Sequence, residues 1–269
     1  MLNIRAAYIN LRNRTERRDT FLANNRAELD AAGFPWRRVD GIDGSELANS
    51  TEELIARGII ARGGLGKDYQ PHTWGHLGCA LSHRSLWEEA ARSGDNDVLV
   101  ILEDDAQVSP QFGSRLRQVL EFAGNREHWD ILHLGFNTDA PLTIQLDCPR
   151  MEIELVCRDN GRPVDPGAPF AISWPEKPPE GELLLARVLD IHGICGYAVS
   201  GRGAQRLLAA CFPMTATSID GTISRKTREG LLQALIAIPP LVLSPNDHAD
   251  SDTVSSAASR YNELVNDEG

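Results

Sequence analysis

Glu103, Asp104 and Asp105 stand side by side in "VLVILEDDAQVS" (98–109), directly after five apolar residues. Adjacent carboxylates repel, so this arrangement asks either for a bound cation or for open solvent. Along a strand the side chains alternate faces, which would send Glu103 and Asp105 one way and Asp104 the other. Hard oxygen donors suit Mg²⁺ or Mn²⁺, ions that commonly bridge a carboxylate to substrate phosphates. A solvated acidic turn without a ligand is the alternative, and the triplet alone does not choose. Arg12, Arg14, Arg17 and Arg18 form the second chemical group, just after the apolar "RAAYINL" (5–11). Guanidinium forks match phosphate oxygens. A solvated helix start, with Glu16 and Asp19 as partners, accounts for the same pattern.

Other groups carry weaker signals. His72 and His76 lie one helical turn apart and His83 follows, yet no Cys or Glu stands at a familiar zinc-ligand spacing, so zinc is not expected. Ser82-His83 reads as a polar pair facing a site or as a helix-packing pair. "GGLG" lacks the Lys-Ser/Thr of a phosphate loop, and "GRGAQR" lacks the strand and acid of a dinucleotide fingerprint. The five cysteines (79, 148, 157, 195 and 211) are odd in number and without a C-x-x-C pair, which points to core thiols in a reducing compartment.

These residues need elements to position them. "RAAYINL" predicts a strand, followed by a helix to about Gly33 with Phe21, Leu22 and Leu29 in the core. "WRRVDGIDG" (36–44) predicts a second strand, and "WGHLGCALSHRSLWEEAARSG" (74–94) a helix whose small residues Gly78, Cys79 and Ala80 pack closely against a sheet. "DVLVIL" (97–102) is a continuous apolar run, as in a strand buried on both faces of a parallel sheet. "GSRLRQVLEFAG" predicts a helix, "WDILHLG" (129–135) a strand, and "HGICGYAVSGRGAQRLLAA" (192–210) a strand and then a helix. This alternation predicts an α/β sheet layered by helices.

Residues 137–186 break the rhythm. "TIQLDC" and "MEIELVC" alternate like half-exposed strands, Asn160-Gly161 offers a hairpin turn, and "PEKPPEG" reads as a loop. A β-rich insertion at the sheet edge is expected there. A helical, Pro-broken region then leads to a polar tail, so the expected organisation is one domain over 1–243 and a tail over 244–269.

The chain has 269 residues, enough for a substantial core. Its 38 acids against 27 Lys and Arg give a net charge of −11, which argues against a general nucleic-acid binder. The N-terminus lacks an apolar core of signal-peptide length. "LLQALIAIPPLVL" is broken by Pro239 and Pro240 and too short to span a bilayer. The expected location is the cytoplasm, with peripheral association at the inner face of its membrane.

Taken in order, "INLRNRTERR" (9–18), "RRVDGIDG" (37–44), "GHLGCALSHRSLW" (75–87), "VLVILEDDA" (98–106), "WDILHLG" (129–135) and "GYAVSGRGAQRLL" (196–208) resemble the blocks of family 25 glycosyltransferases. The resemblance runs over most of residues 5–220. It implies a GT-A type fold: a Rossmann-like mixed α/β sheet whose acidic motif binds a metal, Mn²⁺ or Mg²⁺, and a nucleotide sugar. It also implies inverting transfer of a hexose, usually galactose from UDP-galactose, to a glycan or glycoconjugate acceptor, as in lipopolysaccharide assembly.

Carried onto this chain, the resemblance implies Asp105 as metal ligand, with Glu103 and Asp104 contacting metal, ribose or sugar. Asn10, Arg14 and Arg17 would lie near the nucleotide, and Ser82 and His83 match the family's Ser-His pair. The general base for the acceptor hydroxyl is Asp220, with Asp190 and His192 as alternatives; a helix N-cap is the plain reading of Asp220. His248 or Asp250 would complete the metal shell. A protein of the same fold that binds a nucleotide sugar without turnover, or scaffolds glycan assembly, is the competing expectation.

Overall fold

A computed structural model describes residues 2–47, 51–62, 73–94, 96–124, 128–135, 142–145, 170–172, 184–191, 193–215 and 218–244. In chain order its elements are β1 (Asn3–Asn10), α1 (Thr15–Ala31), β2 (Trp36–Asp40), a short 3-10 helix (Gly44–Leu47), α2 (Thr51–Ala56), α3 (Thr73–Ala90), β3 (Asp97–Glu103), β4 (Gln107–Val108), α4 (Phe112–Gly124), β5 (Ile131–His133), β6 (Leu142–Gln145), β7 (Phe170–Ile172), β8 (Leu184–Asp190), β9 (Gly196–Ser200), α5 (Gly201–Cys211), α6 (Ile219–Arg228), β10 (Ala234–Ile238) and β11 (Val242–Leu243). Among the described residues, nine strands form one sheet in the order β2-β1-β3-β9-β5-β10-β8-β6-β7.

The apolar run of β3 is buried on both faces, as its continuity predicts. On one face Leu99 and Ile101 pack with Tyr197 and Val199 of β9 and with Leu81, Leu86 and Trp87 of α3. On the other, Val98, Val100 and Leu102 pack with Phe21 and Leu29 of α1 and Leu116, Val119 and Leu120 of α4. Each large side chain so buried contributes on the order of 2 kcal/mol from removed apolar surface.

Direction was not readable from that run. β3 pairs parallel with β1 but antiparallel with β9, so the sheet is mixed rather than parallel. An apolar run reports that both faces are covered, not which way the neighbour points. The result is the Rossmann-like mixed α/β architecture expected.

Strand direction builds one functional rim. The carboxyl ends of β1, β2 and β3 lie together, with Asn10 opposite Asp40 and Ile9 opposite Glu103. The amino end of β9 joins them, Gly196 opposite Leu102, and β5 brings its last residue, His133, opposite Tyr197.

The edge beyond β8 carries β6 and β7, an antiparallel pair within the expected β-rich insertion. β8 itself begins at Leu184, just short of the boundary expected at 186, and pairs with β10 in the main sheet. "MEIELVC", Asn160-Gly161 and "PEKPPEG" lie outside the described residues. "LLQALIAIPPLVL" contains β10, whose five residues are all buried, and then β11. A strand covered on both faces has no period to distinguish it from a buried helix.

Candidate active site

Beyond Glu103 the strand ends, and the Ala106 N–H donates to the Glu103 carbonyl at 3.1 Å to close a turn. The turn sends the three acids to separate partners, which strand alternation would not have done. Asp104 accepts from Arg17 at 2.5 Å and from the Asn10 amide at 2.8 Å. Burial raises its pKa, against the opposing pull of Arg17 and Asn10.

Asn10 is itself buried. Its other N–H serves the Arg14 carbonyl at 3.0 Å, and its Oδ1 accepts from Arg38 Nε at 2.9 Å. Arg38 continues to Asp40 at 2.6 Å. Both amide hydrogens of Asn10 are therefore engaged within the protein. Asn10 ties β1, β2 and the acidic turn together at the rim, and Arg17 neutralises Asp104 inside that network. Arg14 contributes through its backbone at the start of α1.

Glu103 turns toward α3. Its Oε1 lies 3.2 Å from His83 Nε2 and accepts from the Cys79 thiol at 3.7 Å. His83 is buried, and its Nδ1 lies 2.7 Å from the Tyr197 hydroxyl, which also accepts from Trp87 Nε1 at 2.8 Å. A carboxylate can only accept, so the tautomer satisfying every partner has Nε2–H directed at Glu103 and Nδ1 accepting from Tyr197.

α3 comes this close because Gly78 has no side chain: a Cβ there would meet the Ile42 carbonyl oxygen at 2.5 Å. Ser82 clamps the same contact, accepting from the Ile42 N–H at 2.8 Å and donating to the Gly78 carbonyl at 2.7 Å. Ser82 thus seats the helix, while His83 faces the acid. Gly78 packs against the turn after β2, not against the sheet as expected.

Asp105 takes a third direction. Ser244 Oγ donates to its Oδ2 at 3.0 Å, and its Oδ1 is buried without a hydrogen-bond partner. Burial first, and the Glu103 charge second, push its pKa up to about 6. An orphaned buried carboxylate oxygen repelled by a neighbouring carboxylate is what a hard divalent cation would relieve. Asp105 and Glu103 therefore fit a metal; Asp104, neutralised by Arg17, does not need one.

Asp220 sits in the first turn of α6, behind the N-cap Ser218. Its carboxylate accepts from the Gly193 N–H at 3.1 Å and the Gly221 N–H at 2.8 Å. Burial alone would raise its pKa, but the bonds from Ser218, Gly193 and Gly221 and the charge of His76 bring it below the ordinary value. Ser224 of α6 also donates to the Ile191 carbonyl at 2.6 Å, so α6 holds the chain leaving β8 at two points. Burial raises the Cys79 thiol pKa well above its usual value, and the charges of Glu103, Asp220 and Asp105 all add to the rise. The Asp190 backbone ends β8 opposite Thr143. His192, His248 and Asp250 lie outside the described residues.

Sequence reasoning missed Arg38, Tyr197 and Ser244. Arg38 and Tyr197 lie inside quoted blocks, but only the fold shows which faces they take. Ser244 was assigned to a polar tail, and its link to Asp105 spans 139 positions.

Comparison with known proteins bears on this arrangement. The model described as glycosyltransferase family 25 (LPS biosynthesis protein) matches residues 5–223. A glycosyltransferase 25 family member of Aedes aegypti is 36% identical over 130 residues, 47% of this chain and 20% of the relative. Human procollagen galactosyltransferase 2 is 31% identical over 205 residues, 75% of this chain and 27% of the relative. The human inactive glycosyltransferase 25 family member 3 is 35% identical over 130 residues, 47% of this chain and 21% of the relative. The chain thus spans less than a third of each of these relatives.

Proposed function

Because the chain belongs to glycosyltransferase family 25, we propose that it is a metal-dependent, inverting hexosyltransferase using a UDP-sugar, most simply UDP-galactose. The acceptor is a glycan or glycoconjugate, as in assembly of lipopolysaccharide or another surface polysaccharide. The observation that carries this reading is the unpartnered, buried Asp105 Oδ1 beside Glu103 on the carboxyl rim of a mixed α/β sheet. Ligand crevices in such sheets lie outside the carboxyl ends of strands.

Asp105 and Glu103 would hold Mn²⁺ or Mg²⁺. Bound there, the ion supplies Lewis-acid stabilisation of the charge growing on the leaving diphosphate. The Asn10–Asp104–Arg17 network keeps the turn in place, so the ligand oxygens need no reorganisation. Asp220 is the proposed base for the acceptor hydroxyl, which attacks the anomeric carbon opposite the leaving group. Asp190 and His192 are the alternative bases. Arg14 and Arg17 lie at the amino end of α1, beside the rim, where a nucleotide diphosphate would dock.

No helix among the described residues is long and apolar enough to cross a membrane. The free thiols Cys79, Cys195 and Cys211 suit a reducing compartment, so we place the reaction in the cytoplasm, at the inner face of its membrane when the acceptor is lipid-linked.

One observation favours a second reading. The hydrogen bonds that lower the Asp220 pKa also make it a weak base, which suits a protein that binds a nucleotide sugar without turning it over. A panel of UDP-sugars with Mn²⁺ separates the two. The transferase releases UDP when acceptor extract is added; the binding protein shows only a donor-dependent rise in Tm. A panel in which no UDP-sugar raises Tm defeats both.

A further inference from the structure

At the rim Glu103 meets two groups that the proposed transfer does not use, the Cys79 thiol and the His83 imidazole. We propose that Cys79 Sγ, His83 Nε2 and Glu103 Oε1 form a binding site for a thiophilic cation of the zinc type, different in donor chemistry from the oxygen site at Asp105.

The geometry is that of a ligand set. Cys79 and His83 are four positions apart on α3 and so share one helix face, and Glu103 meets that face from the end of β3. The three donor atoms all lie within 4.8 Å of one another. Tetrahedral zinc, with bonds of roughly 2.0–2.1 Å to nitrogen and oxygen and about 2.3 Å to sulfur, sets N···O near 3.4 Å and S···O near 3.6 Å. The protein holds those pairs at 3.2 Å and 3.7 Å. These two pairs need shifts of only a few tenths of an ångström to take an ion, and the Cys79–His83 pair lies within 4.8 Å.

The outer partners are also in place. A zinc-bound histidine fixes its ring through the other nitrogen, and here His83 Nδ1 meets the Tyr197 hydroxyl, itself held by Trp87. The protons balance. On binding, Cys79 gives its thiol proton to solvent, the imidazole proton moves from Nε2 to Nδ1 and is donated to the Tyr197 oxygen, and the Tyr197 hydroxyl hydrogen rotates away from His83. Glu103 and Cys79 are partly exposed, which leaves a way in, and three protein ligands leave a fourth position open. The set was invisible in the sequence because its carboxylate comes from a different element, 20 positions beyond His83.

The site has a consequence. Zinc on Glu103 withdraws that carboxylate from the oxygen site and opposes Mn²⁺-dependent donor binding. This consequence, unlike the site itself, rests on the transferase reading.

Cobalt(II) titration of the full chain tests the site. The expected result is a near-ultraviolet thiolate-to-cobalt band with the strong visible bands of a tetrahedral ion, displaced by one equivalent of Zn²⁺. Cys79→Ser and His83→Gln should each weaken cobalt binding at least about tenfold, while Cys148→Ser, Cys157→Ser, Cys195→Ser and Cys211→Ser keep the band. An absent band, or one that survives Cys79→Ser, overturns the site. If Cys79→Ser does not fold, wild-type protein still answers: Zn²⁺ must protect Cys79 from iodoacetamide in peptide mapping, and an unprotected Cys79 overturns the site. A cobalt band in a protein that binds no UDP-sugar with Mn²⁺ leaves the zinc site standing and removes the transferase reading.

Discussion

The Asn10 amide donates to the Asp104 carboxylate at 2.8 Å, joining the ends of β1 and β3 across 94 positions of sequence. Asn10→Asp would replace that donor with a second carboxylate in a buried spot and strip the Arg14 carbonyl of its partner. Breaking a buried hydrogen-bonded charge network costs on the order of 3 kcal/mol. The urea midpoint should fall accordingly with an unchanged m-value. A midpoint within error of wild type would show that the network does not hold the rim together.

Mn²⁺ binding should depend on the protonation of Asp105. Its pKa lies at about 6, and a ligand carboxylate must be ionised to bind. Affinity should therefore be level above pH 6 and fall about tenfold for each pH unit below it. Calorimetric titration from pH 5 to 7.5 reads this directly. Asp105→Asn should lose most of the affinity together with the inflection. Binding that is flat across this range would remove Asp105 as a ligand.

Much of this rim was legible in sequence because it rests on short-range signals. The five apolar residues before Glu103 place β3, and the small Gly78 marks where α3 approaches closely. The acid partners were not legible. Glu103, Asp104 and Asp105 look alike in a string, yet a turn sends them to His83, Arg17 and Ser244. That separation depends on strand order and on the antiparallel β9, neither of which leaves a local periodicity. Asp220 shows another limit: the helix start was legible, but the N-cap is Ser218, two positions earlier, and Asp220 is an acid of the first turn.

His133 should set the acid limit of stability. Both its ring nitrogens are buried without a hydrogen-bond partner, and burial pulls its pKa down from 6.5 to about 3. The unfolded chain takes up a proton in that window that the folded chain refuses. Stability is thus lost as pH falls from about 6.5 toward 3, by on the order of 4 kcal/mol at the lower end. Asp105 acts oppositely, since its raised pKa adds stability as pH falls through about 6 toward 3.8. The difference between His133→Leu and wild type therefore isolates the histidine. Urea melts between pH 4 and 7 should show a variant no less stable at pH 7 and increasingly more stable below 6. Parallel curves would mean that His133 is not buried and unprotonated as described.

Asp220→Asn should retain Mn²⁺-dependent donor binding and lose transfer by about 10²–10⁴-fold, the usual weight of a general base. The amide can accept only through its oxygen, whereas the carboxylate takes Gly193 and Gly221 N–H groups on separate oxygens. Some destabilisation is expected as well, on the order of 1 kcal/mol, so loss of activity alone does not assign the role. Ser218→Ala makes the assignment. It removes one of the bonds that hold the Asp220 pKa down while leaving the carboxylate in place. If Asp220 is the base, the acid limb of kcat/KM must move to higher pH in that variant, and an N-cap role alone would lower Tm without moving it. An unmoved limb, or normal turnover in Asp220→Asn, would clear Asp220 and turn attention to the alternatives Asp190 and His192.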